Sequence, residues 1–233
     1  MRSVAAKLRG LIGELGPTGA GSFLLARALT ASGIGQLHCY LLVAQPVPAH
    51  PGASRPSKLI RVRQVSEQDY QVAWFQRPAA VIRERFRQGA VCFVAFREAQ
   101  AIGCIWLITD QYLEDEVRCH YILQPAAHTA WDFDVYLHPR HRLGRGFVYL
   151  WEAANSWLRE HGRHWSLSRI DALNRASLLA HRRQGAVVVG QALFLRLGPL
   201  QLLVSNRSPY LHLSPHPGRI PALRVSAPRS SEQ

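Results

Sequence analysis

Residues 131–186 run WDFDVYLHPRHRLGRGFVYLWEAANSWLREHGRHWSLSRIDALNRASLLAHRRQGA. They open as a strand over Trp131–Leu137. Because side chains alternate across a sheet, Asp132, Asp134 and Tyr136 are predicted on one face and Trp131, Phe133, Val135 and Leu137 on the other. HPRHRLGRGF, residues 138–147, joins that strand directly to a helix on which Phe147, Leu150, Trp151, Ala154, Trp157 and Leu158 recur at helical spacing, ended by Gly162. A strand over Trp165–Ala172 follows. Asn174 then caps a short helix running to Gln184, and Gly185 stops it.

On the N-terminal side, Leu59–Val65 alternates as a strand, and Ser66–Asp69 supplies polar residues for a helix start. Pro78 opens a second helical stretch in which Ile82 and Phe86 share a face. Val91–Arg97 and Ala101–Thr109 form a hairpin, and the acids Glu114, Asp115 and Glu116 open a further strand through Ile122. On the C-terminal side, Val187–Leu197 and Leu200–Val204 flank Gly198-Pro199 as another hairpin. This order of elements predicts an α+β fold: a mixed, mostly antiparallel sheet with helices on both faces. The domain spans 59–205, behind an extension and Pro-rich linker at 1–58 and ahead of an irregular tail at 206–233.

The extension is read as a helix over Phe23–Thr30 and a strand over His38–Val43, followed by the exposed linker QPVPAHPGASRP at 45–56. Arg27 and His38 interrupt its apolar run, so it is neither a spanning helix nor a signal peptide, although it could touch a membrane surface. GPTGAG at 16–21 lacks the following Gly-Lys-Ser/Thr and is no P-loop.

The 233 residues are 48% hydrophobic and carry a net charge of +13, nearly all of the positive charge being Arg. Wholesale disorder is excluded, and a polyanionic partner is favoured: nucleic acid, anionic lipid, an acidic carrier protein or a phosphorylated cofactor. Cys39, Cys92, Cys104 and Cys119 make no C-x-x-C pair and no cluster at zinc spacing, which points to a cytoplasmic, reduced protein without a structural metal. No helix-turn-helix or RNA-recognition signature accompanies the charge, which argues against nucleic acid.

The Gly/Arg loop ahead of the best helix is the candidate for chemistry. Gly144 and Gly146 free the backbone to approach a ligand, the helix start offers unpaired N–H groups, and Arg140, Arg142 and Arg145 add charge. The same residues also read as a tight turn with solvated arginines.

The loop, its helix, the following strand and NRASLLAHRRQGA together resemble the core of the GNAT N-acetyltransferases. That family has Arg/Gln-x-x-Gly-x-Gly/Ala at a helix start, then an Asn about thirty residues on, with Ala/Ser, Tyr and Gly three, seven and eleven residues after it. Asn174, Ser177 and Gly185 match. His181 stands at the Tyr position and Ala186 where Phe is usual. Anchoring the loop on its two glycines puts His141, not Arg142, at the Arg/Gln position. The likeness covers roughly 59–205.

The resemblance implies an acyl-CoA-dependent N-acyltransferase, with acetyl-CoA or a longer acyl-CoA as co-substrate and no metal. Loop amides over Arg142, Leu143, Gly144, Arg145, Gly146 and Phe147 would bind the pyrophosphate. The backbone of Val135 and Leu137, on a strand splayed from its neighbour, would pair with the pantetheine arm, and Asn174 and Ser177 would line it. His181 would protonate the departing thiolate; Asp134 or Glu116, with Asp132, Glu114, His120 and His128 as alternatives, would take the ammonium proton. The acceptor is an amine on a small molecule or peptide, and an acidic acyl carrier protein is a second source of the acyl group. The rival readings are a GNAT-like module that binds acyl-CoA without catalysis and a basic nucleic-acid-binding protein.

Overall fold

The computed structural model describes residues 24, 28, 29, 31–52, 57, 59–71, 74, 77–142 and 144–228. In chain order the elements are β1 (Gln36–Pro46), β2 (Ile60–Val65), α1 (Ala79–Arg87), β3 (Val91–Arg97), β4 (Gln100–Thr109), β5 (Gln111–Leu113), β6 (His120–Gln124), β7 (Thr129–Leu137), α2 (Gly146–Glu160), β8 (Trp165–Asp171), α3 (Arg175–Arg183), β9 (Val187–Leu197), β10 (Leu200–Ser205), β11 (Leu211–Ser214) and β12 (Ala222–Ser226). Nine strands form one sheet in the order β11-β10-β9-β1-β8-β7-β4-β3-β2, and β12-β6-β5 form a second. In the large sheet only β7–β8 is parallel. The α+β expectation therefore holds.

Apolar residues divide between the two faces of the large sheet. On one face Tyr40, Leu42, Trp106, Trp131 and Phe194 pack with Tyr112, Tyr121, Leu223 and Val225 of the small sheet and with Ile82 of α1. Aromatic contacts tie these layers together: Phe86 lies 4.9 Å from Trp106, Tyr112 stacks on Phe133 at 4.3 Å, and Tyr121 stacks on Trp131 at 4.4 Å. On the other face the stripe Leu150, Trp151, Ala154 and Leu158 of α2 covers Ile105, Leu107 and Ala130.

The predicted strands at 59–65, 91–97, 101–109, 131–137, 165–172, 187–197 and 200–204 all form, to within a few residues at their ends. Asn174 caps α3 by accepting from Ser177 N at 3.1 Å, and Gly185 ends it at φ +83°, a conformation that costs glycine least.

The structure departs from expectation in four places. The strand expected at 38–43 is longer and sits in the middle of the sheet, between β8 and β9, with Leu42 and Ala44 fully buried. The three acids do not open a strand. They occupy the loop between β5 and β6, where the Asp115 and Glu116 amides donate to Glu114 Oε1 and the carboxylates turn toward arginines. The tail expected to be irregular supplies β11 and β12, the latter pairing in parallel with β6. After β2 the chain turns, with Tyr70 N donating to Ser66 O at 3.0 Å, in place of a helix over the described residues there. Of the helix expected at 23–30, Leu24, Ala28 and Leu29 are helical and the rest lie outside the described residues, as do the 16–21 glycine run and Leu143.

Candidate active site

The site is built where β7 and β8 part. They pair only from Thr129–Trp165 to Trp131–Leu167, then run on separately to Leu137 and Asp171. On its other edge β7 stays bonded to β4, but the register shifts between Cys104 and Trp106, and Asp134 sits at φ +47°. This is a β-bulge, and it undoes simple alternation. Trp131, Phe133 and Tyr136 lie with the first core, whereas Ala130, Val135 and Leu137 lie with α2. Asp132 and Asp134 therefore do not share a face, contrary to the expectation from sequence. An extra residue in the strand shifts the two-residue period.

Asp134 turns toward α1. Arg77 grips it through Nε and Nη2 at 3.1 and 2.6 Å, and Arg85 donates to it at 2.7 Å and to Asp115 at 2.6 Å. The buried Arg85 guanidinium also lies 5.3 and 5.2 Å from the Trp106 and Phe133 ring centres. Beside it, Arg169 of β8 binds Glu114 at 2.7 Å and Glu116 at 2.5 Å, over the Tyr40 ring, and Tyr40 donates to Glu116 at 3.0 Å. Between these clusters lies a cavity of about 370 Å³, walled by Glu114, Glu116, Asp132, Asp134, Arg85 and Arg169 among others.

Burial pushes the Asp134 carboxyl up, but the Arg77 hydrogen bonds and the Arg85 charge outweigh it and hold the group below its ordinary 3.8. Burial acts the same way on Glu116, where Arg169 and the Tyr40 hydroxyl reverse it and leave it low. Burial wins at Glu114 despite Arg169, and at Asp132 despite His181 and Ser166; both stand above the ordinary value. A depressed folded-state pKa stabilises above the unfolded value and is lost as the pH falls through the folded one. The stability gap between wild type and Asp134→Asn should therefore be wide at neutral pH and close below about pH 4, as read by urea unfolding across pH. A gap independent of pH would show that this ion pair is not what Asp134 contributes.

Asp132 faces the other way, accepting from Ser166 Oγ at 2.5 Å. On that same face His181 is 4% exposed, its Nδ1 3.0 Å from Gln45 Oε1 of β1 and its ring edge-on to Trp151 at 5.6 Å. His181 is off the cavity wall, and Asp132 stands between the two. Gln45, 1% exposed, is a site residue that sequence reading missed. Its Pro-rich surroundings read as linker, and only the pairing of β1 with β8 brings it to α3.

The loop is tighter than expected. Arg142 N donates to Pro139 O and Gly144 N to His141 O, while Arg142 Nε turns back to Leu137 O at 3.2 Å. These groups are engaged within the turn. The donors in position are those of the first turn of α2, Gly146 to Val148, ahead of the bond from Tyr149 N to Arg145 O; no side chain caps this start. A Cβ on Gly146 would lie 3.0 Å from Leu137 Cδ1, so that glycine serves close packing of helix on strand. Asn174 and Ser177 are joined in the α3 cap. Among the described residues no group of three or more His, Cys, Asp or Glu is placed to hold a metal, and no helix is long and apolar enough to cross a membrane.

No family model matches the sequence, and no curated protein does. Solved structures do. A Drosophila protein aligns with a TM-score of 0.50 at 12% identity, over 77% of this chain and 58% of its own. A protein described as a GNAT-family acetyltransferase from Novosphingobium aromaticivorans aligns at 0.48 and 13%, over 70% and 64%. An aminoglycoside acetyltransferase from an uncultured soil metagenomic sample aligns at 0.40 and 14% identity, over 55% of this chain and 88% of its own. At such identities the likeness to these structures is one of fold alone.

Proposed function

We propose that this chain is an acyl-CoA-dependent N-acyltransferase that moves an acetyl or longer acyl group to an amine on a small molecule or peptide in the cytoplasm. The observation that carries this reading is the fork: β7 and β8 separate beyond Trp131 and leave a cleft that meets a charged cavity at Asp132.

The residues present suit an acyl-CoA. Beyond Trp131 the β8-facing edge of β7 carries no strand pairing, which leaves main-chain groups for an extended arm. Ser168, 3% exposed, sits beside Asp132 on the β8 side of the cleft. The uncapped start of α2, with Arg145 beside it, suits a diphosphate. Bound there, the thioester supplies the activated acyl carbon.

The chain then positions the amine and manages protons. Asp132, raised above its ordinary value by burial, is a stronger acceptor for the ammonium proton than Asp134 or Glu116, both held low by their partners. Those two, held low by guanidinium partners, charge and shape the acceptor cavity. His181, behind Asp132, is the proton donor to the leaving sulfur.

The test is free-thiol release from acetyl-CoA and longer acyl-CoAs with a panel of amines, beside thermal shifts with each acyl-CoA and a DNA duplex. Amine-dependent thiol release is expected. Stabilisation by acyl-CoA without release would leave a binding module, and stabilisation by DNA alone would replace the reading with a nucleic-acid one.

A further inference from the structure

The large sheet changes character from one end to the other. α2 packs on β2, β3, β4 and β7. At the far end, β9, β10 and β11 present an apolar face that belongs to neither core. Strand register aligns Leu37, Leu195, Leu202 and Leu213 in one row across β1, β9, β10 and β11. A second row joins Cys39, Leu193, Val204 and Leu211. Phe194 and Leu203, which alternate with these residues, are buried in the core under the small sheet, so the two rows lie on the opposite face. Exposure rises toward the edge strand: Leu193, Leu195 and Leu202 are half-buried, whereas Leu211 and the neighbouring Tyr210 are each 67% exposed. A contiguous apolar strip at a sheet edge marks an interaction surface. Its electrostatic setting identifies the kind of partner. From Ala172 to Ser231 the sequence holds eight arginines and no Asp or Glu, and β1 carries no acid either. Two of these arginines flank β11. Burial and the Arg219 charge hold the His212 imidazole of β11 below its ordinary 6.5, and Arg224 N donates to Ser208 O at 2.8 Å, which sets β12 beside the turn ahead of β11. Neither guanidinium takes part in the ion pairs among the described residues.

We propose that the β9–β10–β11 end of the sheet docks on an anionic lipid bilayer. Tyr210, Leu211 and Leu213 enter the boundary between headgroups and acyl chains, and the arginines around them meet the lipid phosphates. Water and headgroups at that depth still serve the unpaired edge of β11, which the hydrocarbon interior would not. A second copy of the chain fits this surface less well, because two such faces bring arginines together with no acid to meet them. A nucleic-acid duplex satisfies the arginines but offers the leucines no apolar surface to cover. The docking surface is separate from the apolar run ahead of β1, and it does not depend on the transferase reading.

The full chain should be sedimented with phosphatidylcholine vesicles, with and without about one-third phosphatidylserine, at low and high salt. Binding is expected to be roughly tenfold tighter to the anionic vesicles and to weaken as salt rises. The double variant Leu211→Ser, Leu213→Ser should lower it about tenfold, and Arg219→Gln with Arg224→Gln should remove most of the preference for phosphatidylserine. All four side chains are exposed, so thermal unfolding should match wild type. Absence of vesicle binding overturns the proposal. So does binding that the serine variant leaves intact, which would put the contact elsewhere on the chain. Light scattering and retention of a DNA duplex test the rival partners. A dimer lost in the serine variant would assign the face to a second copy, and duplex binding lost in the arginine variant without vesicle binding would assign it to nucleic acid. Either result overturns the lipid surface.

Discussion

His181→Ala is expected to lower kcat by at least about 100-fold while leaving the Kd for acyl-CoA within roughly threefold, the range of a lost proton-transfer group as opposed to a lost binding contact. The geometry supports a dedicated part for this ring. It is buried on α3, Nδ1 meets Gln45 Oε1 at 3.0 Å, and the Gln45 amide nitrogen is committed to Gln184 Oε1 at 3.2 Å. With its oxygen presented, Gln45 accepts from Nδ1–H, and the proton available for transfer is the one on Nε2. Because His181 also packs on Trp151, alanine will cost stability. His181→Gln keeps bulk and a donor for Gln45 but no transferable proton. Steady-state kinetics on both, with thermal unfolding alongside, separates the roles. Wild-type kcat in the glutamine variant would remove His181 from the chemistry.

The largest effect on stability is expected from Arg85→Ala. Its side chain is 3% exposed, bridges Asp115 and Asp134, and lies against Trp106 and Phe133. Removing it leaves carboxylates facing each other beside an aromatic core, which costs about 3–5 kcal/mol when a buried pair is broken. For a domain of this size that corresponds to a fall in Tm of roughly 10 °C. Arg85→Lys should recover only part of it, because an ammonium cannot serve Nε and both terminal nitrogens at once. A loss under about 1 kcal/mol on chemical denaturation would place Arg85 among ordinary surface ion pairs and contradict its burial.

The sequence was most legible where interactions are local. The cap at Asn174, the apolar stripe of α2 and the hairpin of β9 and β10 are written in spacings of two to four residues and form as read. The Gly/Arg segment joins β7 to α2 as its place in the sequence implies, but its inner hydrogen bonds leave no mark there. Whether an amide faces a ligand or the preceding carbonyl depends on the path of the turn, and here Arg142 and Gly144 are used within it. The single face expected for Asp132 and Asp134 is divided in the fold, because a bulge leaves no mark on an alternating pattern.

The sequence by itself determined most of the strands and helices, among them the strand-loop-helix unit of 131–160. Tertiary structure alone decided that β1 runs through the middle of the sheet, carrying Gln45 to His181, and that Arg169 gathers Glu114 and Glu116 around one cavity. The reason is the range of the forces. Backbone periodicity is set by neighbours along the chain, whereas strand order and the pairing of buried charges are set by residues that meet only when distant segments pack.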